Sequence, residues 1–159
     1  MSEPRTVTFD TRRDCEAHLL ACIEASSMTL ALFDPDFAVF PLGSIRNDTA
    51  LRAFLAGGGH LRLALHDPRQ IERDQPRFLR LLRDYGHLFE CRQTPRGLRQ
   101  LTDSFGIGDD RHIVRRFHSD HPRGEASFDH PPACELSQHR FEAIWQESNT
   151  TLQVSRTGL

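Results

Sequence analysis

The sequence predicts an α/β fold in which a sheet is layered with helices. Three observations carry that reading. Through residue 92, short apolar runs alternate with longer stretches of helical periodicity. Strand-like runs then follow one another around a charged turn, and a last amphipathic stretch opens on Pro131-Pro132. Such an alternation buries one sheet between helices rather than helix on helix or sheet on sheet. No internal repeat, low-complexity tract or interdomain linker interrupts it, so residues 1–159 read as one domain with room for a conventional core.

The elements follow in order. Residues 5–9, RTVTF, alternate as a short strand does. Thr11 is a candidate N-cap with Asp14 in the first turn, and Cys15, Leu19, Cys22, Ile23 and Ser26 then fall on one face of a helix over 12–26. MTLALF, 28–33, is short and apolar enough for a buried strand, and DPDFAVFPLGS reads as turns returning the chain to the surface. A second helix over about 48–56 turns Leu51, Phe54 and Leu55 inward and ends on Gly57-Gly58-Gly59. Those glycines precede a strand, HLRLALH at 60–66, so they suit a C-cap and turn rather than a phosphate loop, which precedes a helix. Asp67-Pro68 opens a helical segment broken near Pro76, with Phe78, Leu79, Leu81, Leu82 and Tyr85 as its apolar face. LFECR, 88–92, is a strand, TPRG a loop, and 103–108 and 112–117 form a hairpin around DDR. GEASF adds a further strand. The last helix carries Cys134, Phe141, Ile144 and Trp145 inward, and the tail TLQVSRTGL is either an edge strand or unordered.

Composition narrows function more than it names it. Apolar residues make up 38% and charged residues 26%, as in a soluble globular protein. No apolar run approaches the roughly 18–20 residues needed to span a bilayer, and no signal peptide is apparent, so the expected compartment is the cytoplasm. Cys15, Cys22, Cys91 and Cys134 lack zinc-ribbon or redox spacing and read as small buried hydrophobes. All basic side chains are arginine; there is no lysine, hence no Schiff-base or general-base amine. Net charge is uneven. Residues 69–123 carry twelve arginines against eight acids, net +4, while residues 1–68 carry six against nine and 124–159 two against five, each net −3. A basic middle between acidic ends points to a local anion site.

Two clusters are candidates. Arg69, Arg73, Arg77, Arg80 and Arg83 recur at steps of four and three, one face of a helix if Pro76 does not split it. Like charges so spaced repel by a few tenths of a kcal/mol, roughly, and suggest an anionic partner such as nucleic acid. Equally, the stripe is a solvated face whose acids lie elsewhere in the fold. The second cluster is HIVRRFHSDHPR, 112–123. Arg116 and His118 alternate along a strand, Asp120 and His121 follow, and Arg115 and Arg123 flank them. Asp120 could orient an imidazole for general-base work, which makes His118, Asp120 and His121 weak catalytic candidates. A strand end with an Asp–Arg pair and a Pro122 turn is the structural alternative. The spacing of His118 and His121 matches no recurrent zinc site, and no metal or cofactor is expected. Asp67 reads as a helix cap, Trp145 as core, and His130 and His139 as surface or cap residues. Nucleotide-, phosphate- and hydrolase-loop motifs are absent.

Taken together, the helix before MTLALF, the glycine-ended helix leading to a strand that closes on HDP, the hairpin SFGIGDDRHIVRRF and the terminal FEAIWQES resemble one lobe of the phospholipase D-like superfamily. The resemblance runs along nearly the whole chain and implies a single-lobe mixed sheet flanked by helices. In the active family the first hairpin strand holds a His-x-Lys pair, the turn holds an aspartate, and the second strand holds Gly-Ser. Aligned on Asp109, the His and Lys positions fall on Thr102 and Ser104; aligned on Asp110, they fall on Asp103 and Phe105. Arg116, Phe117 and His118 stand in the Gly-Ser region. A chain without lysine cannot build that site. The chain is also similar to small uncharacterised bacterial domains ending in a Phe-x-x-x-Trp helix and a Gly-Leu terminus. A single lobe of this kind implies a homodimer. The expectation is therefore a non-catalytic domain that binds a phosphate-bearing or other anionic partner, nucleic acid first, through Arg77, Arg80, Arg83, Arg115, Arg116 and Arg123. The alternatives are a protein-interaction or homodimerisation module without a small ligand, meeting an acidic protein face, and a hydrolase rebuilt on His118, Asp120 and His121. No membrane partner is expected.

Overall fold

The computed structural model describes residues 3–40 and 42–153. In chain order the elements are β1 (Arg5–Phe9), α1 (Arg12–Ala25), β2 (Thr29–Asp34), α2 (Ile45–Ala56), β3 (His60–Leu65), α3 (Arg69–Asp74), α4 (Pro76–Asp84), β4 (Phe89–Gln93), β5 (Ser104–Gly108), β6 (His112–His118), β7 (His121–Phe128), α5 (Pro131–Glu147) and β8 (Asn149–Thr151). All eight strands join one sheet in the order β1-β7-β6-β5-β2-β3-β4-β8. The central β2, β3 and β4 are parallel, as helical crossovers require, and the other pairings are antiparallel. Among the described residues β1 pairs only with β7 and β8 only with β4, so these two are the edges.

Local chemistry sets the helix ends. The Thr11 hydroxyl accepts the Asp14 N–H and starts α1. Ser44 does the same for Asn47, which is why α2 begins at Ile45, three residues before apolar periodicity alone places it. Gly58, at φ +92, makes the turn into β3 in a region costly for side-chain-bearing residues. Pro76 begins α4 instead of interrupting one long helix, so the segment 69–84 is two helices. His130 caps α5 by accepting the Ala133 N–H at Nδ1.

Two cores result, one on each face of the sheet. Leu19, Cys22, Leu32, Leu51, Leu63 and Phe78 belong to the core under α1, α2 and α4. Phe33, Phe105, Ile113, Phe141, Ile144 and Trp145 form the other under α5. Each fully buried Leu or Phe contributes roughly 1.5–3 kcal/mol. Gly124, on β7, is where a Cβ would lie 1.9 Å from the Arg115 carbonyl oxygen and 2.5 Å from the Phe9 ring, so only glycine fits.

One expectation is overturned. Residues following β2 do not return to the surface: Phe37, Phe40 and Leu42 are wholly buried. The sequence DPDF looks like a turn because it is one, but its polar backbone is satisfied from within. Asp34 accepts the N–H groups of Asp36 (3.0 Å) and Phe37 (2.5 Å), and Phe37 sits at φ +59. The turn thereby drives aromatic side chains inward. The two options for the tail also separate: residues 149–151 form the edge strand β8 against β4, and residues 154–159, with the Gly-Leu terminus, lie outside the described residues.

Candidate functional site

The C-terminal end of a parallel strand is where sheets of this class usually carry ligand chemistry. Here β2 ends in Asp34, and β5 runs antiparallel beside it so that Ser104 begins where β2 stops. Ser104 pairs in register with Arg116 of β6. The three side chains point to one face and form a closed polar cluster. The Ser104 hydroxyl donates to Asp34, and Arg116 Nη2 donates to Asp34 Oδ1 at 2.8 Å and to Ser104 Oγ at 3.0 Å. Arg116 Nη1 reaches the Ser119 carbonyl at 2.8 Å, and Phe40 of the covering loop lies 5.8 Å from the guanidinium. Arg116 Nε has no hydrogen-bond partner among the described residues. The side chains of Asp34 and Arg116 are 0% and 2% exposed. The loop above them is held by Gln75 Nε2 to the Phe37 carbonyl (3.3 Å) and Arg12 Nη2 to that of Ala38 (3.4 Å).

This placement corrects the reading of Arg116. Strand alternation from His118 suggested a shared exposed face, but a register irregularity between Arg116 and His118 breaks the alternation. Arg116 turns into the interior, and its charge is taken up by Asp34. Asp34 went unmarked in the sequence, and Ser104 was marked only as a position where the motif lysine would fall. The signal for Asp34 was there: an acid closing an apolar strand, MTLALF-Asp34-Pro35, must either cap or pair when the strand is buried.

The turn of the β5–β6 hairpin holds Asp109 and Asp110, the two positions that could match the motif aspartate. They have φ of 53 and 55, the left-handed central pair of a turn closed by the Arg111 N–H on the Gly108 carbonyl (3.0 Å), within a three-residue connection between the paired Gly108 and His112. Burial pushes the Asp109 carboxyl pKa up, but the N–H groups of Thr29, Met28 and Ser27 outweigh it and hold it below the usual 3.8. Asp109 is thus a brace on the start of β2. Taken with Asp109 as the motif aspartate, the lysine position is Ser104, inside the buried cluster, and the histidine position is the half-buried Thr102. Taken with Asp110, the histidine position is Asp103, which forms a two-pronged pair with Arg140 (2.6 and 3.0 Å), and the lysine position is Phe105 in the core.

The remaining candidates are spread out. His66, after β3, has a fixed ring: Nε2 meets the Leu101 carbonyl at 2.7 Å and Nδ1 meets Thr94 Oγ1 at 2.5 Å. A carbonyl only accepts, so Nε2 carries the proton, and in the neutral ring Nδ1 accepts from the threonine. Asp67 pairs with the Arg69 guanidinium and also accepts its backbone N–H, which together lower the Asp67 pKa to about 2. Asp67 therefore secures the start of α3, although Pro68 occupies the cap position itself.

The arginine stripe is split between α3 and α4, and acids do meet it, from neighbouring positions rather than four residues away. Arg69 pairs with Asp67, Arg73 with Asp74 and Arg83 with Asp84. Arg77 contacts only the Gly43 carbonyl at 3.5 Å, and Arg80 has no partner among the described residues. α4 packs on the Leu63 side of the sheet. Arg115 projects from the opposite face, its guanidinium 5.2 Å over Phe117, beside a cleft of about 520 Å³ that Leu136 and Arg140 also line. Arg123, exposed on β7, lies on that same far face by strand alternation. The two arginine groups therefore do not share a surface.

His118, Asp120 and His121 lie at the exposed β6–β7 turn. His118 Nδ1 accepts the Asp120 N–H at 3.1 Å, its carboxylate is 3.6 Å away, and the two imidazoles are 6.3 Å apart. Among the described residues no group of three acids, histidines or cysteines is placed to hold a metal ion. The four cysteines are buried free thiols; burial raises the pKa of Cys15, Cys22 and Cys134 to about 12 and pushes that of Cys91 up as well. No helix is long and apolar enough to cross a membrane among the described residues.

A family model described as a domain of unknown function, DUF7931, matches residues 11–156. No curated protein matches. Solved structures are similar over nearly the whole chain. A phospholipase D family member, Nuc from Salmonella typhimurium, superposes with TM-score 0.69 at 12% identity, covering 94% of this chain and 99% of that one. NucT from Helicobacter pylori gives 0.62 at 10%, covering 94% and 100%. TrmBL2, an archaeal chromatin protein whose structure shows a novel mode of DNA binding, gives 0.69 at 9%, covering 92% of this chain but 54% of its own. At such identities the likeness is one of fold, and the fold is phospholipase D-like.

Proposed function

The chain belongs to the DUF7931 family, and from that premise we propose that it is a catalytically silent phospholipase D-like domain that binds a phosphate-bearing or otherwise anionic partner, nucleic acid being the first to test. The observation that carries the silent half is Ser104. Aligned on Asp109 it stands where the resemblance expects the lysine, it is buried, and its hydroxyl is committed to the Asp34–Arg116 pair beneath Phe37 and Phe40. A phosphoryl oxygen would have to displace that pair and the loop together. The partner half rests on Arg77 and Arg80, whose charges no acid compensates among the described residues, with Arg83 beside them on α4. That TrmBL2 carries a similar fold and binds DNA supports nucleic acid as the class. Arg115 and Arg123 would serve a second contact on the far face, while Arg116 holds the interior.

The test is anisotropy of labelled single-stranded and duplex oligonucleotides at several salt concentrations. Binding should weaken linearly in log–log form, and Arg77→Gln, Arg80→Gln and Arg83→Gln together should lower the slope by about 0.9 for each duplex phosphate that is no longer neutralised. No binding at low salt overturns nucleic acid as the partner. A protein-interaction module is then the better reading, favoured by the exposed Met28, Ile45, Phe117 and Leu136. Turnover of a phosphodiester that disappears in His118→Ala would instead establish a hydrolase rebuilt on His118, Asp120 and His121.

A further inference from the structure

We propose that the cleft between the end of β6, the inner face of α5 and residues 100–103 binds a small organic acid: one carboxylate carried on a planar apolar body. The site takes Arg115 from the anion-binding reading and rests on that reading in this one residue. Arg77, Arg80 and Arg83, on α4 across the sheet, play no part in it. Three features carry it.

The first is a buried hydroxyl without a partner. Ser137 lies on the inward face of α5, in line with Cys134 and Phe141, and it lines the cleft. The other buried serines are all bonded. Ser26 and Ser148 donate to the carbonyl oxygens four residues back, Ser104 donates to Asp34, and Ser127 bonds Thr6. Ser137 is 6% exposed, and its hydroxyl has no partner among the described residues. Folded proteins rarely leave a buried polar group so, because the water it gave up is not replaced. An alanine would fill the position without that cost, whereas a hydroxyl there suits a polar atom entering the cleft. Thr102, half-buried on the same cleft, is also without a partner among the described residues.

The second is the charge balance. The Arg140 charge is met by both oxygens of Asp103, and that of Arg116 by Asp34 on the other side of the sheet. Arg115 is in strand register with Glu125 but forms no ion pair among the described residues. One positive charge is therefore unmatched in the cleft. It is a guanidinium, whose planar fork fits a carboxylate at two points. A phosphate monoester would bring about −1.5 to −2 charges, more than Arg115 balances, beside the carboxylate of Asp103.

The third is the apolar wall. Met28, Ile45, Phe117 and Leu136 are the exposed large hydrophobic residues among those described, and two of them, Phe117 and Leu136, line this cleft. The Arg115 guanidinium lies 5.2 Å over the Phe117 ring. A flat body whose carboxylate meets Arg115 thus finds the aromatic ring of Phe117 and the side chain of Leu136 beside it. The cleft, about 520 Å³, is within the range of roughly 300–1,000 Å³ typical of small-molecule sites. One unmatched charge, two unpartnered hydroxyls and an apolar wall are the mix such sites use.

The experiment titrates naphthoate into the whole chain by calorimetry and locates it by backbone-amide NMR. The expected Kd is about 1 mM or tighter, as suits a ligand of this size, with shifts at Thr102, Arg115, Phe117 and Ser137. The neutral naphthamide should bind about tenfold more weakly, and Arg115→Gln should weaken naphthoate by about as much, the scale of a charged hydrogen bond. Ser137→Ala should weaken binding roughly two- to tenfold while the Tm of the free protein stays level or rises, since its hydroxyl has no partner to lose. A serine that served only the fold would lower Tm and leave binding untouched. Inorganic phosphate should not displace the probe. Absence of binding, shifts confined to other regions, displacement by phosphate, or affinity unchanged in Arg115→Gln or in Ser137→Ala overturns the proposal. Arg77→Gln, Arg80→Gln and Arg83→Gln together should leave naphthoate binding intact. Oligonucleotides that fail to bind while naphthoate binds overturn the nucleic-acid reading alone, and the reverse result overturns this site alone.

Discussion

Asp34→Ala tests the buried cluster directly. The change deletes the acceptor for one guanidinium, one hydroxyl and two backbone N–H groups, at Arg116, Ser104, Asp36 and Phe37. The guanidinium matters most, because Arg116 is 2% exposed and keeps only the Ser104 hydroxyl and the Ser119 carbonyl. Stranding one member of a buried ion pair costs about 3–5 kcal/mol. Domains are stable by only about 5–15 kcal/mol, so this is a large share. At this chain length each kcal/mol moves Tm by about 2–4 °C, giving a fall of about 6–20 °C. Circular dichroism during heating and in urea reads the loss. Adding Arg116→Met to Asp34→Ala removes the stranded cation and should recover part of it, because the desolvated charge, not the missing hydrogen bond, dominates. Exchange at the Asp36 and Phe37 amides should accelerate in both variants, since the carboxylate that holds them is gone. A loss below about 1 kcal/mol, the scale of exposed pairs, would falsify the argument. So would a double variant no more stable than the single one.

Two further outcomes follow from the geometry. Gly124→Ala should destabilise by about 1–3 kcal/mol or more, because its Cβ would lie 1.9 Å from the Arg115 carbonyl oxygen; an unchanged urea midpoint would contradict that packing. Burial holds the His112 pKa below its ordinary 6.5, and its Nδ1 accepts the Asp129 N–H, an acceptor that protonation removes. The unfolded chain therefore binds that proton first, so the stability from His112 is complete above about pH 6.5 and falls as pH drops below it. Urea melts at neutral and mildly acidic pH should show a shallower decline in His112→Asn than in the wild type, and equal declines would remove His112 as the cause.

The helices and strands were legible where apolar spacing met a specific end signal. Thr11 with Asp14 marked α1, the glycine triplet closed α2, Pro76 split the 69–84 segment, and the paired aspartates marked the hairpin turn. The start of α2 was less so, since Ser44 does its work before any apolar periodicity appears. The loop after β2 was misread for a physical reason. Turn-forming residues report local backbone geometry, and only the pairing of β2 with β5 shows that the turn lies under Arg116. The candidate site suffered from the same limit. A residue's face on a strand is readable by alternation only while the register is regular, and it shifts between Arg116 and His118. The stripe looked uncompensated because pairing was sought four residues along a helix, whereas Arg69, Arg73 and Arg83 find their acids one or two positions away. The fold-level resemblance survived these errors because it depended on element order, which the superpositions on Nuc and NucT bear out.

The register of β1 on β7 also orders events during synthesis. Phe9 meets Gly124 and Arg5 meets Phe128, so β1, once synthesised, waits for more than a hundred further residues before its one neighbour among the described residues exists. Closing so long a loop carries an entropic cost that grows with the logarithm of its length, and distant pairings of this kind slow folding. Throughout that wait a nascent chain offers both edges of β1 at once, beside other nascent chains bearing the same strand. Crowded translation of one message is therefore the condition under which β1 strands would be exchanged between neighbouring copies.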